Sequence, residues 1–337
     1  MRFGVIGIDH RHIYDQVRGL LDIGAECAGY WSPSEVSIEK GFTERFPEIP
    51  RINDRYQLLE DKSVRLITCA AIPCDRASFA IEAMTYGKDF MTDKPGVTTF
   101  EQLQKVKQAQ QETQRIFSVN FTERFEVRAV TKATELVRAG AIGRVIQTVG
   151  LGPHRLNRDT RPAWFFDPAA YGGILVVIDS NQIDQFLHFT DSADAEILIA
   201  RYGNLAHPAD PGLQDYGEIM LANRAASGYI RVDWFTPDGL ATWGDGRLTI
   251  LGTEGYIELR KYIDIAGRPG KDHLFLVNNK GTSYMDCSKA DLPYYADLRD
   301  DIFERTERAM PHSHCFKVCE LALAAQSVAT RIDAKDS

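Results

Sequence analysis

Short apolar runs alternate with amphipathic stretches through the first 120 residues, and this alternation constrains the fold more than any other feature. Apolar runs bounded by turn residues predict buried strands, whereas apolar residues recurring every three to four positions predict helices. We predict strands at residues 2–8, 25–31, 64–71, 88–92 and 115–120. Helices are predicted near residues 11–22, 35–46, 76–86 and 99–113. Because helices between successive strands favour parallel pairing, this part is predicted to be α/β, with a doubly wound parallel sheet.

After residue 121 the pattern changes to β-rich runs such as "GYIRVDWF", "GRLTILG" and "GYIELRKY", separated by Gly, Asp and Pro turns. Adjacent strands joined by such turns predict an α+β domain with a large, mostly antiparallel open sheet. Helices are predicted near residues 124–139, 178–189, 292–309 and 314–331. We therefore expect domains at residues 1–121 and 122–337, and leave open that the last helix packs back on the first domain.

Charge and apolar patterning exclude several classes of protein. The 39 basic and 47 acidic residues give a net charge of −8, which predicts no nucleic-acid partner and no polybasic membrane patch. No apolar stretch approaches the roughly 18 residues of a membrane span, and no signal peptide is recognisable, so a cytoplasmic protein is expected.

The six cysteines are scattered and are expected to be reduced thiols. Cys315 and Cys319 lie near His312 and His314, but the spacing matches no zinc motif, so no metal site is predicted.

The first strand runs into a glycine turn, "FGVIGIDHRH". Asp9 and His12 occupy positions where the dinucleotide fingerprint G-x-G-x-x-G/A has small residues. Taken alone, this pattern is more typical of a structural turn than of a phosphate loop.

Four segments in order carry a resemblance to a known family. They are "GKDFMTDKPGVTT" (87–99), "AGAIGRV" (139–145), the glycine pair 172–173 leading to Asp184, and "GDGRLTILGTEGYIEL" (244–259). Together they resemble the glucose-fructose oxidoreductase / inositol dehydrogenase / MocA (Gfo/Idh/MocA) family of NAD(P)-dependent enzymes, over nearly the whole chain. The resemblance implies a Rossmann domain followed by a substrate-binding and oligomerisation domain. It also implies a sugar, inositol or polyol substrate and a homodimer or homotetramer formed through the open face of the second sheet.

The same resemblance implies a cofactor site that starts at Gly7, with the following backbone N–H groups around the pyrophosphate. Asp9 would repel the phosphates, and Arg11 can compensate. Ser32 stands where NAD-preferring members have an acidic residue, and no arginine lies beside it, which favours NAD and leaves NADP open. The implied cofactor-binding residues are Gly7, Ile8, Asp9, His10, Arg11, His12, Ser32, Ala71, Pro73, Asp93, Lys94 and Thr122.

Lys94 is the main catalytic candidate, because "DKP" resembles the family's E-K-P loop with Asp93 replacing the glutamate. A lysine beside the positively charged oxidised nicotinamide is destabilised in its charged form and can take a hydroxyl proton. The family's loop geometry implies that the Lys94–Pro95 peptide is cis.

The second half of the implied site departs from the family pattern, which has an Asp, a His four residues later and another Asp after three more. Here Val177 and Asn181 occupy the first two positions, and Asp184 the last. An amide cannot take a proton at neutral pH. Asp184 is therefore a second catalytic candidate as well as a substrate contact, with a structural salt bridge as the alternative. Asp179 can substitute if the chain shifts, although a helix N-cap would explain it.

Asn181, Asp184, Gln185 and His188 are spaced to share one helix face that can line a substrate pocket. The loop "GPHRLNRDTRPAWF" (152–165) supplies further candidates, because arginine binds hydroxyls and aromatic rings stack on sugars. Its implied substrate contacts are His154, Arg155, Arg161 and Trp164. The alternative is a solvated basic loop.

Three functions remain open at this stage. The first is a dehydrogenase acting on a secondary hydroxyl. The second is an enzyme with tightly bound NAD that uses transient oxidation for elimination or glycoside cleavage. The third is a nucleotide- or sugar-binding sensor that has lost its chemistry, which the residues at positions 177 and 181 favour and Lys94 disfavours.

Overall fold

The computed structural model describes residues 1–33, 36 and 38–333. The chain divides into two compact units. Unit 1 comprises Met1–Asn120, Ala169–Gly172 and Pro293–Cys319, and unit 2 comprises Phe121–Pro168, Gly173–Leu292 and the chain from Glu320.

The strands, in chain order, are β1 (Arg2–Ile6), β2 (Glu26–Trp31), β3 (Val64–Cys69), β4 (Asp89–Asp93), β5 (Phe117–Asn120), β6 (Val145–Pro153), β7 (Glu196–Asn204), β8 (Tyr216–Ala222), β9 (Ser227–Asp233), β10 (Arg247–Gly252), β11 (Gly255–Arg260), β12 (His273–Asn278), β13 (Gly281–Asp286) and β14 (Thr330–Asp333). The helices are α1 (Ile13–Asp22), α2 (Glu39–Arg45), α3 (Tyr56–Glu60), α4 (Arg76–Thr85), α5 (Phe100–Thr113), α6 (Thr122–Phe125), α7 (Arg128–Arg138), α8 (Pro168–Tyr171), α9 (Ile174–Val177), α10 (Asp179–Phe189), α11 (Tyr294–Glu304) and α12 (His312–Val328).

Unit 1 is built on a parallel sheet with the strand order β2-β1-β3-β4-β5. The chain leaves β1 in one direction to form β2 and then crosses to β3 on the other side of β1. This reversal is the topological switch point, where doubly wound sheets bind ligands at the carboxyl ends of their strands. The predicted α/β fold of this part is confirmed.

The local signals in unit 1 predicted most elements. Helix α5 begins where expected, with the Thr99 hydroxyl accepting a hydrogen bond of 3.1 Å from the Gln102 backbone N–H. Helix α2 is shorter than the predicted 35–46, and three residues of that range (34, 35 and 37) lie outside the described residues. Helix α3 was not predicted.

Unit 2 is built on a mixed sheet of nine strands, in the order β13-β12-β11-β10-β6-β9-β8-β7-β14. Most neighbours are antiparallel, whereas β6 pairs with β9 and β7 with β14 in parallel. Alternate residues are buried on one face, as Leu248 and Ile250 are in β10, and pack with Val130 and Ala133 of α7. The predicted large, mostly antiparallel open sheet is therefore confirmed.

Two helix predictions after residue 121 need correction. The segment predicted at 124–139 forms two helices, α6 and α7. The helix expected at 178–189 is confirmed as α10, and the short α9 before it was not predicted. The last helix ends at Val328, and Thr330–Asp333 forms β14 instead of continuing it. Residues 328, 330 and 332 are β-branched, which favours strand, and β14 gains backbone hydrogen bonds by pairing with β7.

No helix within the described ranges is long and apolar enough to cross a bilayer. No disulfide joins any of the six cysteines, all of which belong to the described chain.

Candidate active site

The turn after β1 is closed by Gly7, whose backbone is left-handed, with a φ of 82°. A Cβ at this position would lie 2.5 Å from the Cβ of Ala71, so only glycine fits. The Gly7 carbonyl accepts a hydrogen bond of 3.0 Å from the Ala70 N–H, and the Ala70 carbonyl accepts one of 2.9 Å from the His10 N–H. The loops after β1 and β3 are therefore tied together at the switch point.

Asp93, the last residue of β4, binds both histidines of the β1–α1 turn. His12 Nδ1 lies 2.7 Å from Asp93 Oδ1, and His10 Nδ1 lies 3.1 Å from Asp93 Oδ2. Burial alone would raise the pKa of Asp93, but its interactions with His12, Arg76 and His10 hold that pKa well below its ordinary value. Asp93 is thus an ionised carboxylate inside the protein, 1% exposed.

Arg76, the first residue of α4, is 1% exposed and braces the loop after β4. Its Nη2 donates to Asp93 Oδ2 at 3.1 Å, and its Nη1 donates to the backbone carbonyls of Asp93, Lys94 and Pro95 at 2.9, 2.7 and 3.1 Å. Its Nε donates to the Ala71 carbonyl at 2.7 Å. One buried guanidinium therefore holds the backbone that carries Lys94.

Lys94 follows β4 directly and is 5% exposed. The Lys94–Pro95 peptide is cis, which confirms the prediction.

The remaining predicted cofactor residues of unit 1 surround the same strand ends. Ser32 follows β2, is 5% exposed, and its hydroxyl has no hydrogen-bond partner within the described chain. Ile8 is buried, Pro73 begins a short 3₁₀ turn, and Arg11 is exposed. An orphaned hydroxyl at the end of β2 and a glycine turn at the end of β1 fit the ribose and pyrophosphate of a dinucleotide.

Asp9 has hydrogen bonds of its own. Burial raises its pKa, Arg76 opposes that rise, and the Ile72 backbone N–H donates to its carboxylate. The Asp9 carboxylate, which we expected to repel phosphate, thus accepts a hydrogen bond from the turn after β3.

In unit 2, Asp184 is fully buried and its Oδ2 accepts a hydrogen bond of 2.7 Å from Arg124 Nε. His188, one turn further along α10, lies 3.4 Å from Arg124 Nη1 through its Nδ1 and 2.8 Å from the Thr134 hydroxyl through its Nε2. Asp184 and His188 therefore share Arg124. Asn181, on the same helix, is 2% exposed, and its Oδ1 has no partner within the described chain.

Asp179 was expected as a helix N-cap, and this was wrong. Ile178 occupies the cap position, and the cap makes no side-chain hydrogen bond. Asp179 is fully buried, and neither of its oxygens has a partner in the described part of the chain. Burial, reinforced by the charge of Glu123, raises the pKa of Asp179 well above its ordinary value. An acidic residue directly after the apolar run "ILVVI" was the sequence signal for this buried carboxylic acid.

Sequence reasoning also missed the buried ion pair of Glu123 and Lys261 in unit 2. Their exposures are 2% and 0%, and Gln182 Nε2 donates to the same Glu123 Oε2 at 2.8 Å. Their separation of 138 residues left no local signal.

The loop 152–165 makes many contacts inside unit 2. Arg155 Nη2 donates to the backbone carbonyl of Pro237 at 2.8 Å, and Arg161 stacks on Phe165. The His154 ring lies 4.6 Å from the ring of Trp243. The other predicted residues are Trp164, which is half-buried beside Phe165, and Thr122, which begins α6. The structure therefore brings the predicted loop residues into an arginine–aromatic cluster.

A glycine turn at the switch point of a parallel sheet, followed by an open-sheet unit, is typical of one class of dinucleotide-binding oxidoreductases. Residues 1–121 match the oxidoreductase family with an NAD-binding Rossmann fold, and residues 130–258 match the Gfo/Idh/MocA C-terminal domain. The chain belongs to the Gfo/Idh/MocA family.

Known relatives agree with this assignment. Inositol 2-dehydrogenase from Salmonella typhimurium is 25% identical over 178 residues, which are 52% of this chain and 50% of the relative. The chain thus aligns with about half the length of the curated relatives it matches.

Among solved structures, a protein described only as an oxidoreductase, from Erwinia carotovora atroseptica, is 47% identical with a TM-score of 0.95, over 98% of this chain and 99% of that one. KijD10, a 3-ketoreductase from Actinomadura kijaniata solved with NADP and TDP-benzene, shares the fold at 16% identity, with a TM-score of 0.78 over 99% of each chain.

Proposed function

We propose that this protein is an NAD(P)-dependent dehydrogenase that removes a hydride from a secondary hydroxyl-bearing carbon of a sugar, inositol or related polyol. The carrying observation is the buried Arg76, which holds Lys94 at the carboxyl end of β4 through the Lys94 carbonyl and the Asp93 carboxylate. Gly7 ends β1 of the same parallel sheet. The carboxyl ends of parallel strands lie at one edge of a sheet, which supports placing Lys94 and the glycine turn in one site.

A bound nicotinamide would supply the hydride acceptor. Lys94 would contact the substrate hydroxyl and take its proton as the carbonyl forms. The Gly7 turn and the following N–H groups would hold the pyrophosphate, and the buried Ser32 hydroxyl would bind the ribose. Because serine binds a 2′-hydroxyl and offers no charge to a 2′-phosphate, we favour NAD over NADP.

Unit 2 would bind the substrate. Asn181 Oδ1 is a buried acceptor without a partner in the described chain, which suits a sugar hydroxyl. Asp184 would act as a positioning residue, because its carboxylate is held by Arg124. The names of two relatives, an inositol 2-dehydrogenase and a 3-ketoreductase, support hydroxyl or ketone chemistry.

We further propose that the protein is a cytoplasmic homo-oligomer formed through the open face of the unit 2 sheet. The six cysteines, all within the described chain, form no disulfide, which is the state expected in a reducing compartment such as the cytoplasm. Partly exposed apolar side chains on that face are better buried against a second copy.

The test is a screen of sugars and inositols with NAD and NADP, followed by absorbance of reduced nicotinamide. With a substrate in hand, Lys94→Met should lower turnover by roughly 10²–10⁴-fold while NAD affinity stays near the wild-type value. Asn181→Ala should raise KM more than it lowers kcat, because an amide relays no proton. Lys105→Met is the control, because Lys105 is 62% exposed in an i,i+4 pair with Glu101. Full activity of Lys94→Met would refute the assignment.

A further inference from the structure

The imidazole of His12 is oriented by a buried carboxylate. Ionised Asp93 has no proton to donate, so the 2.7 Å contact is a hydrogen bond from His12 Nδ1–H to Asp93 Oδ1. The lone pair of neutral His12 therefore lies on Nε2. When Nε2 takes a proton, the resulting imidazolium is stabilised by the carboxylate on its other nitrogen.

His12 also differs from Lys94 in its access to water. Lys94 is 5% exposed, whereas the His12 side chain is 28% exposed. A proton taken by a buried lysine beside an oxidised nicotinamide has to leave before the next turnover. A half-buried imidazole provides such an exit.

His10 lies beside His12, and the charge of Lys94 acts on it. The His10 and His12 rings lie 4.3 Å apart, edge to face. Burial, together with the charges of His12 and Lys94, lowers the pKa of His10 to about 3. His10 is thus neutral at physiological pH, and the charges of both neighbours act on it. The groups that face His12 are Asp93, His10 and, through these two, Arg76 and Lys94.

Resting on the proposed function, we propose that His12 is the second acid/base group of this enzyme, receiving at Nε2 the proton that Lys94 takes from the substrate hydroxyl and releasing it to solvent. In the substrate, the O–H bond breaks and its electron pair forms the carbonyl bond, while a bound NAD(P) would supply the acceptor for the hydride that leaves the carbon. The proton moves to the Lys94 amine, then to His12, then to water. Asp93 stays ionised throughout. This route supplies the acid/base function that the amide of Asn181 cannot provide.

The same three side chains offer metal-ligand atoms within 4.8 Å of one another. A divalent cation there would lie beside the Arg76 guanidinium, which is 3.1 Å from Asp93 Oδ2. Repulsion by this charge favours proton transfer over metal binding.

The first test is nitrogen-15 NMR of the histidine rings, which needs no substrate. The chain offers a matched control in His207, which is 24% exposed and has its Nδ1 2.8 Å from the Oδ2 of buried Asp215. Both neutral rings should carry the proton on Nδ1. Asp93→Asn should change the ring signals of His12 and of His10, which also contacts Asp93, and should leave those of His207 unchanged. A neutral His12 with its proton on Nε2, or a His12 that stays charged from about pH 5 to 8, would overturn the proposal.

The second test is kinetic. His12→Asn keeps a donor toward Asp93 but removes the base, so kcat should fall by roughly 10²-fold with NAD affinity unchanged. Added imidazole should restore part of the turnover of His12→Asn and none of Lys94→Met, which also shows that the variant is folded. His207→Asn should match the wild type.

Three results of the kinetic test would overturn the role of His12. They are full turnover of His12→Asn, loss of NAD affinity in step with turnover, and loss of wild-type activity on chelation with recovery on adding Zn²⁺. Wild-type turnover is measured first, because its absence with every polyol would refute the proposed function itself, whatever the NMR shows of the His12–Asp93 bond.

Discussion

Arg76 donates a 2.7 Å hydrogen bond to the backbone carbonyl of Lys94 while its Nη2 contacts the Asp93 carboxylate. Both side chains of the Arg76–Asp93 pair are 1% exposed. A pair this deeply buried is costly to break, because removing one partner leaves the other charge without compensation.

We predict that Arg76→Met lowers the free energy of unfolding by about 3–5 kcal/mol, the usual range for breaking a buried ion pair. Urea unfolding measures the change. Arg308→Met is the control, because the Arg308–Glu304 pair is 52% exposed on each side, and such i,i+4 pairs contribute about 0.3–0.5 kcal/mol. Equal losses in the two variants would contradict the bracing role of Arg76.

A comparison of Gly7 and Gly24 distinguishes the cost of a left-handed backbone from the cost of a steric clash. Both have a positive φ, 82° and 77°, but a Cβ at position 24 meets nothing within 4 Å. Gly24→Ala should cost only the left-handed penalty of about 1–2 kcal/mol. Gly7→Ala should cost more and also weaken NAD binding, because the turn must move away from Ala71. Calorimetry of NAD binding and urea unfolding check both changes, and equal effects of the two substitutions would refute the close packing.

Asp179 is predicted to make stability fall as pH rises. Its folded pKa is raised, so above the unfolded value of about 3.9 the unfolded chain loses this proton while the folded chain keeps it. Asp179→Asn removes that difference. The variant should therefore gain stability relative to the wild type as pH increases from about 4 to 7.

Asp264 provides a control in which the pH dependence of stability has the opposite sign. The Ala266 N–H, Arg268 and Arg260 lower its pKa to about 2 against the effect of burial. Its ionised form is therefore favoured by folding, and Asp264→Asn should lose stability relative to the wild type as pH increases from about 2 to 4, with little further change above that range. Thermal unfolding at several pH values measures both. Parallel curves for Asp179→Asn and the wild type would show that Asp179 is ionised in the folded protein.

The open face of the unit 2 sheet predicts self-association. Strand pairing aligns Ile199, Met220, Tyr229 and Val149 in one row across four strands. Ile199 and Met220 are 51% and 42% exposed. Light scattering should give a dimer or tetramer at micromolar concentration, and Met220→Lys should dissociate it. Ile265→Lys, at a side chain that is 60% exposed outside the strands, should not change the mass. A monomeric wild type would contradict this assembly.

The sequence predicted the elements whose causes are local. The strands of unit 1 follow from apolar runs, and the start of α5 follows from the threonine cap at Thr99. Helix α3 has only five residues, too few for a period to be read, and β14 depends on pairing with a strand more than 100 residues earlier. Such pairing has no local signature.

The candidate site likewise has features that a local motif predicts and contacts between distant residues that it does not predict. The resemblance predicted Lys94 and Gly7 as site residues, and it predicted the cis peptide, which is confirmed, because the family loop is contiguous. The bonds around Asp93 join residues 17 and 81 positions apart, so neither its bond to the buried Arg76 nor its bond to His12 was visible in the sequence. Arg76 in "CDRASF" reads as an ordinary exposed residue at a helix start.

Strand β14 has a consequence for the sheet on which it ends. It pairs with β7 along Arg201, Tyr202, Gly203 and Asn204, and a Cβ on Gly203 would lie 2.2 Å from the Ile332 carbonyl oxygen. The last described residues thus cover backbone groups that would otherwise be available to a strand from another molecule. Removing them would leave an edge with apolar Leu198 and Ile199 beside it, and the shortened protein would be prone to aggregate.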